Sequence, residues 1–243
     1  MTVAPTSVHS GREQHRSRWV LAAVLVFLLG GLTVALLYHF DVFEGSSNST
    51  TEGSGVSATQ ARDLAAFNSV ELAGSNNVVI RVGEKQSVVV RADDNLLDRV
   101  TTKVQSGKLV VANTPGSFST KSPMSVEVEV PTLNALTLTG NGNVVVSGIE
   151  AESLMVSLPG NGTLTGSGTA KRLDVTVSGS GTVQFTRLVA NDARAVVSGS
   201  GSIFITATKT LDASVSGSGA ILYTGNPQNV TKSVTGTGAI TGS

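Results

Sequence analysis

Carboxylates and arginines are the side chains of this sequence that could do chemistry. The 243 residues contain no cysteine, and the three histidines, His9, His15 and His39, all precede residue 40. Beyond His39 the chain can form neither a Ser-His-Asp triad nor a zinc site of the His/Cys type. What remains is acid–base work by paired carboxylates, as in glycoside hydrolysis, or calcium binding by oxygen ligands. Three clusters have suitable spacing: Glu127 with Glu129, Glu150 with Glu152, and Asp93 with Asp94 and Asp98. Glu127 and Glu129 alternate with Val126, Val128 and Val130, which puts both on the outward face of a strand. The other two clusters fall in turns, and all three read as solvated surface. Asp174, Arg194 and Asp212 recur at one position of a repeat and read as a ladder of surface ion pairs. No catalytic residue, metal ligand or cofactor site is assigned, and the chain is read as a non-enzyme.

A repeat sets the elements that hold these groups. Gly-x-Gly recurs at Gly140-Asn141-Gly142, Gly160-Asn161-Gly162 and Gly179-Ser180-Gly181, then at Gly199-Ser200-Gly201, Gly217-Ser218-Gly219 and Gly236-Thr237-Gly238. The first glycines are 20, 19, 20, 18 and 19 residues apart, and a fixed period of this length marks a solenoid. Strand-like alternation follows each triplet, so these are not phosphate-binding loops, which lead into helices. Around Gly179, apolar Leu173, Val175 and Val177 come before and Val183 and Phe185 after, with polar residues between, and the other units repeat the pattern. Each repeat is predicted to hold two short strands joined by the Gly-x-Gly corner, with a looser turn such as GIEAES between repeats. Successive coils then stack ~4.8 Å apart. The corner glycines are expected to supply backbone angles closed to residues with a Cβ.

The outward Ser and Thr positions read as a polar strand face. Pro159 and Val196 interrupt them, which argues against an ice template. The register points Phe185 and Tyr223 inward and Phe204 outward, so stacking of sugars on aromatics has little support. Upstream of the repeat, residues 77–82, 87–92, 99–104, 108–113 and 125–130 read as strands, and 94–98 as a helical turn. Gly74-Ser75-Asn76-Asn77 resembles a degenerate corner.

Trp19 to Tyr38 is an uncharged run, WVLAAVLVFLLGGLTVALLY. As a helix it spans ~30 Å, the thickness of a bilayer's hydrocarbon core. Arg12, Arg16 and Arg18 precede it, and Asp41 and Glu44 follow. The positive-inside bias places residues 1–18 in the cytoplasm and the C-terminal part outside a plasma membrane. A retained anchor is favoured over a cleaved signal peptide. The run is long, and the nearest small-residue cleavage pattern, Thr33-Val34-Ala35, lies inside it. Residues 39–64 read as a juxtamembrane linker, with GSSNSTTEGSGVSATQ (45–60) as a flexible tether, and 65–243 as the ectodomain. Lys plus Arg and Asp plus Glu both number 17, and this balance argues against nucleic acid as a partner.

Residues 67–74 (FNSVELAG), VVVRADDNLLDRV (88–100), VEVPTLNALTLTGNG (128–142) and the serial VSGSG units together resemble the bacterial family of auto-transporter adhesin head GIN domains. The resemblance covers about residues 65–243. It implies a right-handed parallel β-helix, exported or membrane-tethered, with no established activity. Members often carry Asp after the second corner glycine. Here that place holds Asn143, Thr163, Thr182, Ser202, Ala220 and Ala239, so no acidic metal ladder carries over.

The expected function is a membrane-anchored, non-catalytic module for adhesion or envelope structure, with an unknown extracytoplasmic protein or glycan as partner. The alternatives are a surface polysaccharide-active enzyme using carboxylates, or an envelope sensor. Lys232 occupies the place where earlier coils hold Leu136, Val156, Val175, Ala195 and Ala213. It is expected to cap the last coil against edge-to-edge association and keep the ectodomain monomeric.

Overall fold

From Gly140 onward the chain climbs in coils, each paired in parallel with the one before. The strands Asn143–Leu158, Thr163–Val177, Thr182–Val197 and Ser202–Val215 stack in sequence, and Ala220–Thr224, Asn229–Val234 and Ala239–Gly242 complete the pile. The structure, a computed structural model, describes residues 50–243. It is an all-β fold containing a β-solenoid of about five turns. The expected cytoplasmic tail, residues 1–18, and the expected membrane segment, 19–38, lie outside the described residues. Within those residues no helix is long and apolar enough to cross a membrane.

The inward register is as the sequence predicts. Leu173, Val175 and Val177, with their counterparts Ala193, Ala195 and Val197 and then Leu211, Ala213 and Val215, are all buried. Val144, Leu164, Val183, Ile203 and Ile221 form the opposite stack. The shape of a coil differs from the expectation. Two short strands with a looser turn between repeats were predicted, yet Asn143–Leu158 is one strand that bends where its register shifts between Val146 and Ile149. GIEAES is therefore itself paired, and Ala151, Ala170, Ala190 and Ala207 stack there as an additional inward column. Bulges at different points in each coil put these alanines at unequal spacings, which hides them from a count of the repeat.

The first coil is built from Ser69–Leu72 and Asn77–Val82 around the degenerate corner. Ala135–Leu138 and the start of Asn143–Leu158 stack directly on it. The chain between forms a cap on the other side. Lys108–Asn113 and Ser125–Val130 continue the parallel pile for one more layer, and Val100–Gln105 and Ser87–Asp93 then close it in antiparallel pairing.

Residues 45–60 were expected to be a flexible tether, and here the described part of that segment behaves otherwise. Ser57–Ala61 pairs antiparallel with Ser87–Asp93, and Thr51–Glu52 pairs parallel with Phe118–Ser119. The segment has little apolar surface to bury. It is held by backbone pairing and by polar side chains of the cap, which composition alone does not reveal.

Candidate functional site

Each strand entering a Gly-x-Gly corner presents outward side chains seven and five residues before the first glycine. Stacked coils turn these into two ladders. One runs Ser153, Arg172, Asp192, Thr210, Asn229; its neighbour runs Met155, Asp174, Arg194, Asp212, Thr231. Together they line an open depression of about 610 Å³. Arg194 stands between two carboxylates, with Nη1 3.8 Å from Asp174 Oδ2 and Nε 3.6 Å from Asp212 Oδ2. The expected Asp174–Arg194–Asp212 ladder is thus present, and it is exposed. Thr210 Oγ1 donates to Asp192 Oδ1 at 2.7 Å, and Lys171 pairs with Glu152 at 2.8 Å in the adjoining column.

Arg172 and Asp192 were not singled out from the sequence. The signal was available, because both stand seven residues before a first corner glycine, as do Ser153, Thr210 and Asn229. The face offers guanidinium donors, carboxylate and amide acceptors and hydroxyls in strict register. Such groups can bind a ligand by hydrogen bonds and charge.

Of the remaining carboxylate clusters, Glu127 and Glu129 line one shallow surface depression with Arg81. Glu127 faces outward on the cap and lies 3.5 Å from Arg91, while Glu150 and Glu152 are exposed beside the coil bend. Among the described residues, no group of three or more His, Cys, Asp or Glu side chains could hold a metal ion.

Asp93 corrects the reading of its cluster. Asp94 and Asp98 are exposed, but Asp93 is completely buried. Its carboxylate accepts from the backbone N–H of Gly55 at 2.9 Å and Lys121 at 2.9 Å, and from Ser122 N–H at 3.2 Å. Burial opposes the charge, yet the N–H groups of Lys121 and Ser122, the Ser122 side chain and the Gly55 N–H outweigh it and hold the carboxyl below its ordinary value. Asn95 reinforces the clasp, accepting from Ser54 N–H and donating to the Glu52 carbonyl. Arg62 donates to the Leu97 carbonyl, and Gln86 donates to the carbonyls of Leu64 and Ala65.

The corner glycines lie where the sequence puts them, for a different physical reason. Of the twelve, only Gly236 has a left-handed backbone, φ 116°. The constraint on the others is vertical. A Cβ at Gly160, Gly179, Gly199 or Gly217 would meet the carbonyl oxygen of the equivalent residue one coil below, well inside contact distance. The second glycines meet the same obstacle together with a side chain, as Gly201 does with Val177 Cγ1 at 2.6 Å. Close stacking of backbones demands glycine here. At the last coil, Lys232 is in register with Ala213, and its ammonium lies 4.8 Å from the centre of the Tyr223 ring.

The family described as "Putative auto-transporter adhesin, head GIN domain" matches residues 66–227. The chain belongs to this family. Solved structures share the fold of its head GIN domain. One titled a putative adhesin, from Bacteroides fragilis NCTC 9343, has 23% identity and a TM-score of 0.68, covering 79% of this chain and 99% of that one. Two from Parabacteroides distasonis ATCC 8503 are each 21% identical over 80% of this chain and 100% of theirs. One is titled a putative lipid binding protein, with a TM-score of 0.55, and the other a putative adhesin, at 0.53. No curated protein matches the chain.

Proposed function

We propose that this protein is a membrane-anchored, non-catalytic binding module, a right-handed parallel β-helix displayed outside the cell. The observation that carries the reading is the pair of outward ladders from Ser153 to Thr231, which repeat donors and acceptors coil after coil on a rigid surface. Family membership supports it, since two of the structural relatives carry adhesin titles. Anchoring rests on the uncharged run 19–38 and the arginines that precede it.

Protease treatment of intact cells tests the topology. The ectodomain should be removed and a membrane-bound stub of residues 1–50 or so retained; a soluble chain lacking the apolar run overturns the anchor. Cells displaying the full chain should adhere to envelope material without releasing soluble fragments from it. Release of reducing sugars that disappears in a panel of Glu→Ala and Asp→Ala variants would establish the polysaccharide-active alternative instead.

A further inference from the structure

We propose that the charged depression binds an uncharged oligosaccharide laid along the solenoid axis, one sugar to each coil. The inference rests on the reading of the ectodomain as a binding module and names what its face would hold. Equivalent positions in the two ladders recur every ~4.8 Å, the spacing of paired strands. An extended chain of pyranose rings advances by a comparable step. A linear glycan can therefore offer an equivalent set of hydroxyls to each coil in turn.

The lining also selects against charge of one sign. Arg172 pairs in register with Asp192, and Arg194 with Asp174 on one side and Asp212 on the other. A polyanion or polycation laid along the ladder meets like charge on alternate coils. A sugar hydroxyl both donates and accepts, so it suits an arginine on one coil and an aspartate on the next.

These groups are free to engage. The contacts of Arg194, at 3.8 and 3.6 Å, are longer than hydrogen bonds, which leaves its N–H donors available. Among the described residues Arg172 makes no ion pair. Met155, 62% exposed at one end of the depression, offers apolar surface to a ring face. The strands carrying Arg172, Asp192 and Thr210 are paired on both sides by neighbouring coils, so little ordering is needed on binding.

The test applies the full-length chain, in detergent micelles, to an array of neutral glucans, galactans and mannans from monosaccharide to octasaccharide, with polyuronates and sulfated glycans alongside. Retention of neutral chains should strengthen with length and level off once the chain spans the depression. It should be the same at low and high salt, since no net charge is neutralised. Arg172→Ala and Asp192→Ala should each weaken it about tenfold or more, while Arg81→Ala, on another face, leaves it unchanged. Arg172 is exposed and Asp192 half-buried, so thermal melts should report an intact fold for both variants.

Salt-sensitive binding of polyanions alone refutes the ligand class and leaves the binding module standing. Neutral glycans held equally by both depression variants refute the site. Retention of no glycan refutes the inference altogether. Adhesion of the displaying cells to envelope material, scored separately, then decides whether the binding reading falls with it.

Discussion

Between Gly140 and Val215 the strands are held by copies of themselves. Val177 packs between Leu158 and Val197, and the Gly179 corner rests on the carbonyl of Gly160. Between Thr51 and Val130 hardly any contact recurs. Asp93 clasps Gly55 and the turn at Lys121, Arg62 reaches the Leu97 carbonyl, and Asn76 and Asn113 exchange amide hydrogen bonds. The pairing changes as well, from wholly parallel in the repeat to antiparallel at the outer layers of the cap. A solenoid can add coils with one set of rules, but ending it takes single-use contacts. The two regions should therefore fail differently when damaged, and the following substitutions test that.

The largest effect is expected in the repeat. Val177→Asp places a carboxylate in a fully buried column with no partner, at a cost of ~3–5 kcal/mol. Its neighbour Ser178 is exposed, and Ser178→Asp should stay within about 0.5 kcal/mol. Denaturant melts of the two variants decide the register; equal destabilisation would contradict it.

Next comes the corner. Gly181→Ala drives a methyl into the Gly162 carbonyl, 2.5 Å away, and the Leu158 side chain, 2.8 Å away. Overpacking of this kind costs ~1–3 kcal/mol. Ser180→Ala, in the exposed middle of the same corner, should be close to neutral. Were the corner glycines required for their backbone angles instead, alanine would harm Gly236 far more than Gly181.

Damage to the cap should stay local. Asp93→Asn removes the charge that orients the N–H groups of Gly55, Lys121 and Ser122. It should expose residues 51–61 to protease while the repeat stays folded. Acid reproduces this in the wild type. The folded carboxyl titrates below its ordinary value, so its stabilisation is complete above ~pH 4 and is lost only as the pH falls through the lower, folded value. Cleavage by an acid protease should therefore begin only below about pH 4 in the wild type, and Asp93→Asn should already be open at pH 5. A whole-domain collapse on Asp93→Asn would show that cap and repeat are one cooperative unit.

This division also governs what could be read from the residues. Periodicity reveals the corners, written six times, and the inward columns beside them, written five or six times, but not the unevenly spaced alanine column. Upstream of the repeat, the strands 77–82, 108–113 and 125–130 were readable from alternation alone, and they are observed at those bounds. Asp93 was not readable, because nothing local distinguishes a buried carboxylate from Asp94 beside it. Its partners are 28 and 38 positions away along the chain. The docked strand Ser57–Ala61 was hidden for a related reason: backbone pairing leaves no apolar signature. On the outward face, Arg172 and Asp192 obey the period, but opposite charges on two successive coils of a solvated strand look no different from ordinary surface.

The smallest effect separates stability from recognition on that face. Arg194 has 57% of its side chain exposed, and Asp212 60%. Solvent screens such pairs, and holding two long side chains together costs entropy, so their coupling should be ~0–1 kcal/mol. A double-mutant cycle with Arg194→Ala and Asp212→Ala measures it, because effects of each residue on the rest of the coil cancel. A coupling of that size, fading as salt is added, means the ladder contributes little to holding the coils together. Parallel pairing and the buried columns already do that. The alternation of charge would then be dispensable for the fold and free to serve a ligand. A coupling well above 1 kcal/mol that survives high salt would reverse the conclusion and make the ladder a structural clamp.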